Sequence, residues 1–371
     1  MTTDDQPPFR AEHVGSFVRP ERLLQAARAH RADDLDADIY REIQDDCIRE
    51  VVAWQDEIGM PSVTDGEFRR RSWSAGVIDA LDGFGLREEG ALKFRTDSGE
   101  LGLAASPYAK APLSRRQRIV ADDYAYVRAQ APRGRAKATM ASPPVMHFSL
   151  GPRSFETDVY GDRDVYFAAL AGIYRDEIAD LAAEGCTYLQ LDETALPCNC
   201  DDHAREAVRE RGEDPDELTD AYIRLINDAL ADRPAGMTVA LHMCRGNLKG
   251  AWMAEGGYEP IAERLFGGLD VDAFFMEYDT PRAGDFAPLR HLPADKSVVL
   301  GLISTKTPRL EPKDEIKRRI DEAAKIVPLD RLALSPQCGF SSGGGGGQVV
   351  TAEYTRRKLV LVLAVASEVW G

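Results

Sequence analysis

The chain has 371 residues, of which 46 are Lys or Arg and 62 are Asp or Glu, for a formal charge of −16. That balance excludes a binder of phosphate backbones, which needs a basic stripe to displace counterions. With 44 % hydrophobic and 29 % charged residues the composition is globular, and the length fits two or three ordinary domains or one large barrel with an ample core. The longest apolar run, Leu359 to Ala366, is eight residues, far short of the ~20 needed to cross a bilayer. Met1–Pro8 is polar and acidic, unlike a signal peptide, so the six cysteines read as reduced thiols in a cytoplasmic protein.

In chain order, strand-length apolar runs occur at Phe9–Val14, Pro61–Thr64, Ala136–Met140, Thr187–Leu191, Met237–Leu241, Val271–Met276, Ser297–Leu302 and Arg331–Leu334. Their continuous apolar character predicts strands buried on both faces. Helical patterns fall between them at Ile39–Ile58, Val165–Ala183, Asp216–Ala231, Glu259–Phe266, Lys313–Ile326 and Ala352–Val369, with Asp216 and Thr351 as predicted caps. Eight strands alternating with helices predict an α/β fold, a (β/α)8 TIM barrel. Leu86–Pro107 breaks the alternation, and its Thr96-Asp97-Ser98-Gly99 turn predicts a hairpin inserted over one barrel end. No Pro/Ser-rich linker appears, which predicts one catalytic domain over 1–371. The run Gly343–Gly347 lacks the Lys-Ser/Thr pair of a phosphate loop and reads as a mobile loop.

Chemistry in such a barrel gathers where the carboxyl ends of the strands meet the following loops. Four residues there have metal-ligand chemistry: His242 and Cys244 after one strand, Glu277 after the next, and Cys338 after the last. A His-x-Cys pair leaves a strand with both side chains on the same face. Two thiolates bias the set toward zinc over magnesium or calcium. Singly, each also reads as an ordinary buried core residue. The run Cys198-Asn199-Cys200-Asp201-Asp202-His203 is a rival metal loop, with helix capping by Asp201 or Asp202 as its alternative.

Val14-Gly15-Ser16-Phe17, Asp65-Gly66-Glu67, Leu189-Gln190-Leu191-Asp192-Glu193, His242-Met243-Cys244, Glu277 and Ser335-Pro336-Gln337-Cys338-Gly339 follow one another in an order that resembles the catalytic half of cobalamin-independent methionine synthase. The resemblance runs from about Phe9 to the end. It implies a barrel with one zinc on His242, Cys244, Glu277 and Cys338, and a homocysteine-like thiol as methyl acceptor. Ser16, Glu67 and Asp192 match the residues that bind the acceptor's amino-acid end. Phe148 stands nearest to a tryptophan used beside the folate, and Lys306 falls where the family has its catalytic histidine. The chain has no room for the second barrel of full-length members, and Phe68-Arg69-Arg70-Arg71 replaces a polar run. The acceptor half therefore resembles the family while the donor half departs from it.

Single-barrel relatives with a His-x-Cys-Arg-Gly-Asn motif, here His242 to Asn247, are also similar to epoxyalkane:coenzyme M transferase. The resemblance thus leaves a zinc-dependent methyltransferase, a thiol transferase opening an epoxide, and a non-catalytic zinc or amino-acid binding barrel. Glu67 and Asp192 favour an acceptor with an ammonium, which coenzyme M lacks. Lys306 is the expected proton source for the leaving group, with His13 and His147 next in line. Arg69, Arg70 and Arg71 are candidates for an acidic substrate tail.

Overall fold

The structure, a computed structural model, describes residues 6–88, 93–96, 99–102, 105–131, 133–341 and 349–371. Its strands are β1 (Ser62–Val63), β2 (Leu81–Arg87), β3 (Lys93–Thr96), β4 (Gly99–Gly102), β5 (Ser106–Arg115), β6 (Arg135–Ala136), β7 (Ala138–Ala141), β8 (Tyr188–Glu193), β9 (Thr238–Met243), β10 (Ala273–Glu277), β11 (Ser297–Ile303) and β12 (Leu332–Pro336). Strands β7 to β12 form one parallel sheet in sequence order. The pair β1–β6 runs parallel beside it, and the Lys137 N–H bonds to Val63 O at 2.9 Å between β6 and β7. The predicted first strand, Phe9–Val14, is reduced to one parallel bridge, Ala11 to Leu334. Glu12 N–H donates to Leu334 O, and Leu334 N–H to Arg10 O, both at 2.9 Å. The first segment thereby docks on the last strand, and the fold is a (β/α)8 barrel.

The sequence explains the layering. Strands β10 and β11 are buried at every position, as strands covered on one face by helices and filled on the other by the barrel interior must be. Inside the barrel Phe9, Tyr188, Ala240, Phe275, Val299 and Ala333 form their own small apolar cluster. The helices Ala37–Glu57, Arg163–Ala183, Pro215–Leu230 and Ala352–Trp370 turn apolar faces to the sheet. Thr351 caps the last of these through its hydroxyl to Tyr354 N–H at 3.3 Å. The cap of Pro215–Leu230 is Asp214, which accepts from the Asp216 and Glu217 N–H groups, so Asp216 lies inside the first turn. Pro215 at the first helical position fixes that start one residue earlier than the apolar pattern shows.

Helices Glu21–Arg31, Ala121–Gln130 and Asp202–Glu210 lie outside the predicted set, as do the short helices Ala75–Ala80, Val145–Phe148, Thr157–Tyr160 and Ala195–Cys198. The predicted helix at Glu259–Phe266 begins as a 3-10 turn, Glu259–Ile261, and continues as Ala262–Gly268. The inserted hairpin is larger than its predicted bounds. β2 pairs antiparallel with β5, and β3 with β4, with Thr96 opposite Gly99. Residues 97–98 of its turn and the run Gly343–Gly347 lie outside the described residues. The Arg95 N–H donates to Trp252 O at 2.6 Å and Trp252 N–H returns to Arg95 O at 3.0 Å. Arg95 also ion-pairs with Asp201 and, at 3.3 Å, with Glu255. The insert is therefore strapped to the loop after β9, at the carboxyl end of the barrel. Among the described residues no helix is long and apolar enough to cross a membrane.

Candidate metal and substrate site

The register of the sheet builds the site. Asp192 of β8 and His242 of β9 are direct cross-strand partners, so both side chains leave the same row at the barrel mouth. Cys244 follows two residues after His242, its N–H held by Glu193 O at 2.7 Å, which carries the strand's alternation past its end. Cys338 arrives from the loop after β12, and its Sγ lies 3.4 Å from that of Cys244. The ligand atoms of His242, Cys244 and Cys338 all fall within 4.8 Å of one another.

Electrostatics fit a cation at this point. The hydrogen bond from Cys244 drives the Cys338 thiol well below its ordinary range against the opposing effect of burial, and His242 and Lys306 assist. The same bond, with burial, pushes Cys244 well up. Burial alone would lower His242, but Cys338, Asp192 and Glu277 outweigh it and hold the imidazole above its usual value. Neither His242 ring nitrogen has a partner of hydrogen-bond geometry, although the side chain is buried. Orphaned buried donors are costly, and two adjacent sulfurs beside an orphaned imidazole match the soft donor set of zinc. Glu277, the fourth expected ligand, stands outside this trio. Its Oε1 accepts from Arg245 N–H at 2.7 Å and its Oε2 faces Lys306 Nζ at 3.3 Å.

The cluster lines a cavity of about 460 Å³ together with Ser16, Glu67, Asp192 and Phe148. Glu67 sits at φ +61°, a left-handed conformation uncommon outside glycine. Its N–H bonds Asp65 Oδ1 at 2.8 Å, and Arg19 donates to its carbonyl at 2.6 Å. Burial pushes the Glu67 carboxyl up to about 7, with Arg70 opposing and Asp192 and Asp65 adding to the rise. Asp192 is likewise raised by burial, against His242 and Gln190. Glu67 and Asp192 thus place two buried carboxylates on one cavity wall, a chemistry that suits a cationic group. Ser16 approaches Gly339 so closely that a Cβ there would stand 1.9 Å from its Oγ, so glycine is required where the first and last loops meet.

The other expected residues divide. Arg69 is bound to Asp45 and Asp123, Arg70 is buried against Thr139 and Glu67, and Arg71 pairs with Asp79 on the cavity rim. Three consecutive arginines thus serve three different partners. Lys306 is buried on Glu277, away from the cavity wall. Burial lowers its pKa, but Glu277 and Asp279 more than compensate. His13 bonds Ser62 O and His147 bonds Tyr222, and neither reaches the cavity lining. In the rival loop Asp201 caps the next helix through the His203 and Ala204 N–H groups. Among the described residues Cys198, Cys200 and His203 form no metal-type group.

Several contributors escaped the sequence reading. Trp73, Leu86 and Phe94 supply apolar walls, the last two from the insert. Asn247 donates to Thr305 Oγ1 at 2.9 Å and Gly339 O at 3.2 Å, tying two loops together. Arg19 bonds Ser341 O, Glu67 O and Arg70 O, fastening three loops at once. Asn247 had a signal, as the end of the His242–Asn247 run, whereas Arg19 had none.

Fold and site together define a (β/α)8 barrel with a buried Cys/Cys/His group at the carboxyl ends of its strands. The family model described as "Cobalamin-independent synthase, Catalytic domain" matches residues 9–352, and the chain belongs to this methionine-synthase-like methyltransferase family. It is 38 % identical over 366 residues to the uncharacterized protein YxjH of Bacillus subtilis (strain 168), covering 98 % of this chain and 95 % of that one. It is 25 % identical over 329 residues to a methionine synthase of Pyrococcus abyssi, covering 88 % and 85 %. A solved structure from Listeria monocytogenes, provisionally described as a vitamin-B12 independent methionine synthase, superposes with TM-score 0.77 at 34 % identity over 98 % of both chains.

Proposed function

We propose that the protein transfers a methyl group to the sulfur of a small amino-acid thiol such as homocysteine, using one zinc ion, with residues 1–371 acting as one catalytic domain. The observation that carries this reading is a single cavity wall holding both the His242–Cys244–Cys338 group and the buried carboxylates Glu67 and Asp192. Family membership and the likeness to a methionine synthase support it.

His242, Cys244 and Cys338, with Glu277 as the fourth proposed ligand, would hold the zinc, which when bound would supply Lewis acidity toward a thiol at neutral pH. The chain's own residues do the rest. Glu67 and Asp192 receive the acceptor's ammonium, while Ser16 and its turn receive the carboxylate. Phe148 and the apolar walls hold the methyl donor and exclude water. Lys306, kept protonated by Glu277 behind the cavity wall, supplies positive charge from behind Glu277 as the leaving group departs. An acceptor without an ammonium, such as coenzyme M, leaves Glu67 and Asp192 unsatisfied, which weighs against the epoxide-opening reading.

The test is zinc stoichiometry by metal analysis, followed by turnover of the zinc-loaded protein with homocysteine and a panel of methyl donors. One zinc per chain and methionine formation are expected. Absence of bound zinc, or a preference for coenzyme M with short epoxides, overturns the reading. Lys306→Met is expected to lower turnover by about 10²-fold or more at saturating thiol, with zinc content and thiol affinity unchanged and partial recovery in Lys306→Arg. Unchanged turnover removes Lys306 from the reaction.

A further inference from the structure

We propose that Lys137 and Gln190, buried in the barrel interior below the cavity, are positioning residues that together set both ends of the acceptor's amino-acid seat. This rests on the reading of the acceptor as an amino-acid thiol.

Lys137 lies between β6 and β7, with its side chain fully enclosed. The rings of Tyr188 and Phe275 close on its ammonium at 5.4 and 5.0 Å from their centroids. An ammonium has three donors and no acceptor, and three acceptors face it. They are Glu12 Oε2 at 3.4 Å, the His13 carbonyl, and Gln190 Oε1 at 3.1 Å. Because lysine can only donate, the oxygen end of the Gln190 amide must point at it. The nitrogen end therefore points the other way, where two acceptors wait: Val14 O at 2.6 Å and Asp192 Oδ1 at 2.7 Å. Chemistry on both sides fixes the amide in one orientation.

Glu12 holds the far end rigid. Its Oε2 also accepts from Ser62 Oγ at 2.8 Å, and its Oε1 from Tyr188 Oη at 2.8 Å and Phe9 N–H at 3.1 Å. A chain of contacts thus runs from Glu12 through Lys137 and Gln190 to Asp192. Asp192 Oδ1 is engaged by Gln190, which leaves Oδ2 as the oxygen for the acceptor's ammonium. The bonds to the His13 and Val14 carbonyls meanwhile fix the backbone that leads directly into Gly15 and Ser16. One lysine and one amide place the group that reads the ammonium and the turn that reads the carboxylate, without touching the acceptor themselves.

Barrel stability could by itself explain a satisfied buried lysine, so the test needs a readout that stability does not move. Lys137→Met and Gln190→Met keep side-chain length and remove the polar contacts. Calorimetry of the zinc-loaded protein would compare homocysteine with 4-mercaptobutyrate, the same thiol acid without the amino group. Both variants are expected to lose homocysteine affinity by about tenfold to a hundredfold, the range of a hydrogen bond to a charged group. Their affinity for 4-mercaptobutyrate is expected to fall clearly less, since it draws on the Ser16 turn but not on Asp192. Equal losses for the two ligands, or no loss for either, overturn the proposal. Wild-type protein that binds the two alike overturns the amino-acid reading itself, a separate result. If Lys137→Met does not fold, Gln190→Met carries the comparison alone, because its amide bears no charge to strand.

Discussion

Cys338→Ser is expected to abolish stoichiometric zinc and, with it, methyl transfer. The serine keeps the size of the side chain in its buried loop, so the fold has little reason to respond. The hydroxyl is a poor substitute for a thiolate on a soft cation. Structural zinc sites bind with about 10–16 kcal/mol from four ligands, so one ligand accounts for roughly 3 kcal/mol, on the order of a hundredfold in affinity. The Cys244 sulfur, 3.4 Å from that of Cys338, then loses its sulfur partner. Metal analysis after dialysis against a weak chelator reads the effect. Cys200→Ser, in the rival loop, is expected to keep its zinc. Full occupancy in Cys338→Ser with loss in Cys200→Ser would reverse the assignment.

Asp192→Asn is expected to weaken homocysteine binding by a hundredfold or more. Removing one partner of a buried charge pair costs about 3–5 kcal/mol, and the amide preserves the shape of the carboxylate. Glu67 adds a pH signature. Burial holds its carboxyl at about 7 in the free protein, and an ammonium beside it favours the ionised form. Below that pH the free site is protonated and must release the proton to pair. Affinity therefore falls as pH drops through 7, by at most tenfold per unit, and is fully present above it. Calorimetry across this range checks the slope, and Glu67→Gln is expected to flatten it. The same slope in Glu67→Gln would assign the titration elsewhere, and undiminished binding by Asp192→Asn would remove Asp192 from the seat.

The strands were legible because burial on both faces forces continuous apolar runs, and chemistry at their ends could be read off the next residue. That logic reached His242, Cys244, Cys338 and Asp192 without knowledge of the register that joins them. It could not show that Glu277 is divided between Arg245 and Lys306, since partners 29 or more residues away leave no local pattern. Helix Ala121–Gln130 escaped because its apolar residues follow no helical stripe, and Glu177 from a neighbouring helix accepts its first N–H groups. The strand Phe9–Val14 was legible as a run, but only one bridge forms there. The motif resemblance supplied the roles of Ser16 and Glu67, which periodicity and strand ends alone do not assign.

The meeting of the first and last loops has a consequence for how the molecule comes into being. Ser16 and Ser341, 325 positions apart, touch through Ser16 Oγ and the Ser341 N–H, and Arg19 reaches Ser341 across 322. Contacts between distant positions form only after the entropy of closing the intervening chain has been overcome. A ribosome must therefore release the chain past Ser341 before Cys338 can join Cys244 or the Ser16 turn can find its shape. Strands β7 to β10 can pair with their neighbours earlier, yet none of those partial sheets owns a complete site. Competence for metal and substrate arrives only when the ring shuts.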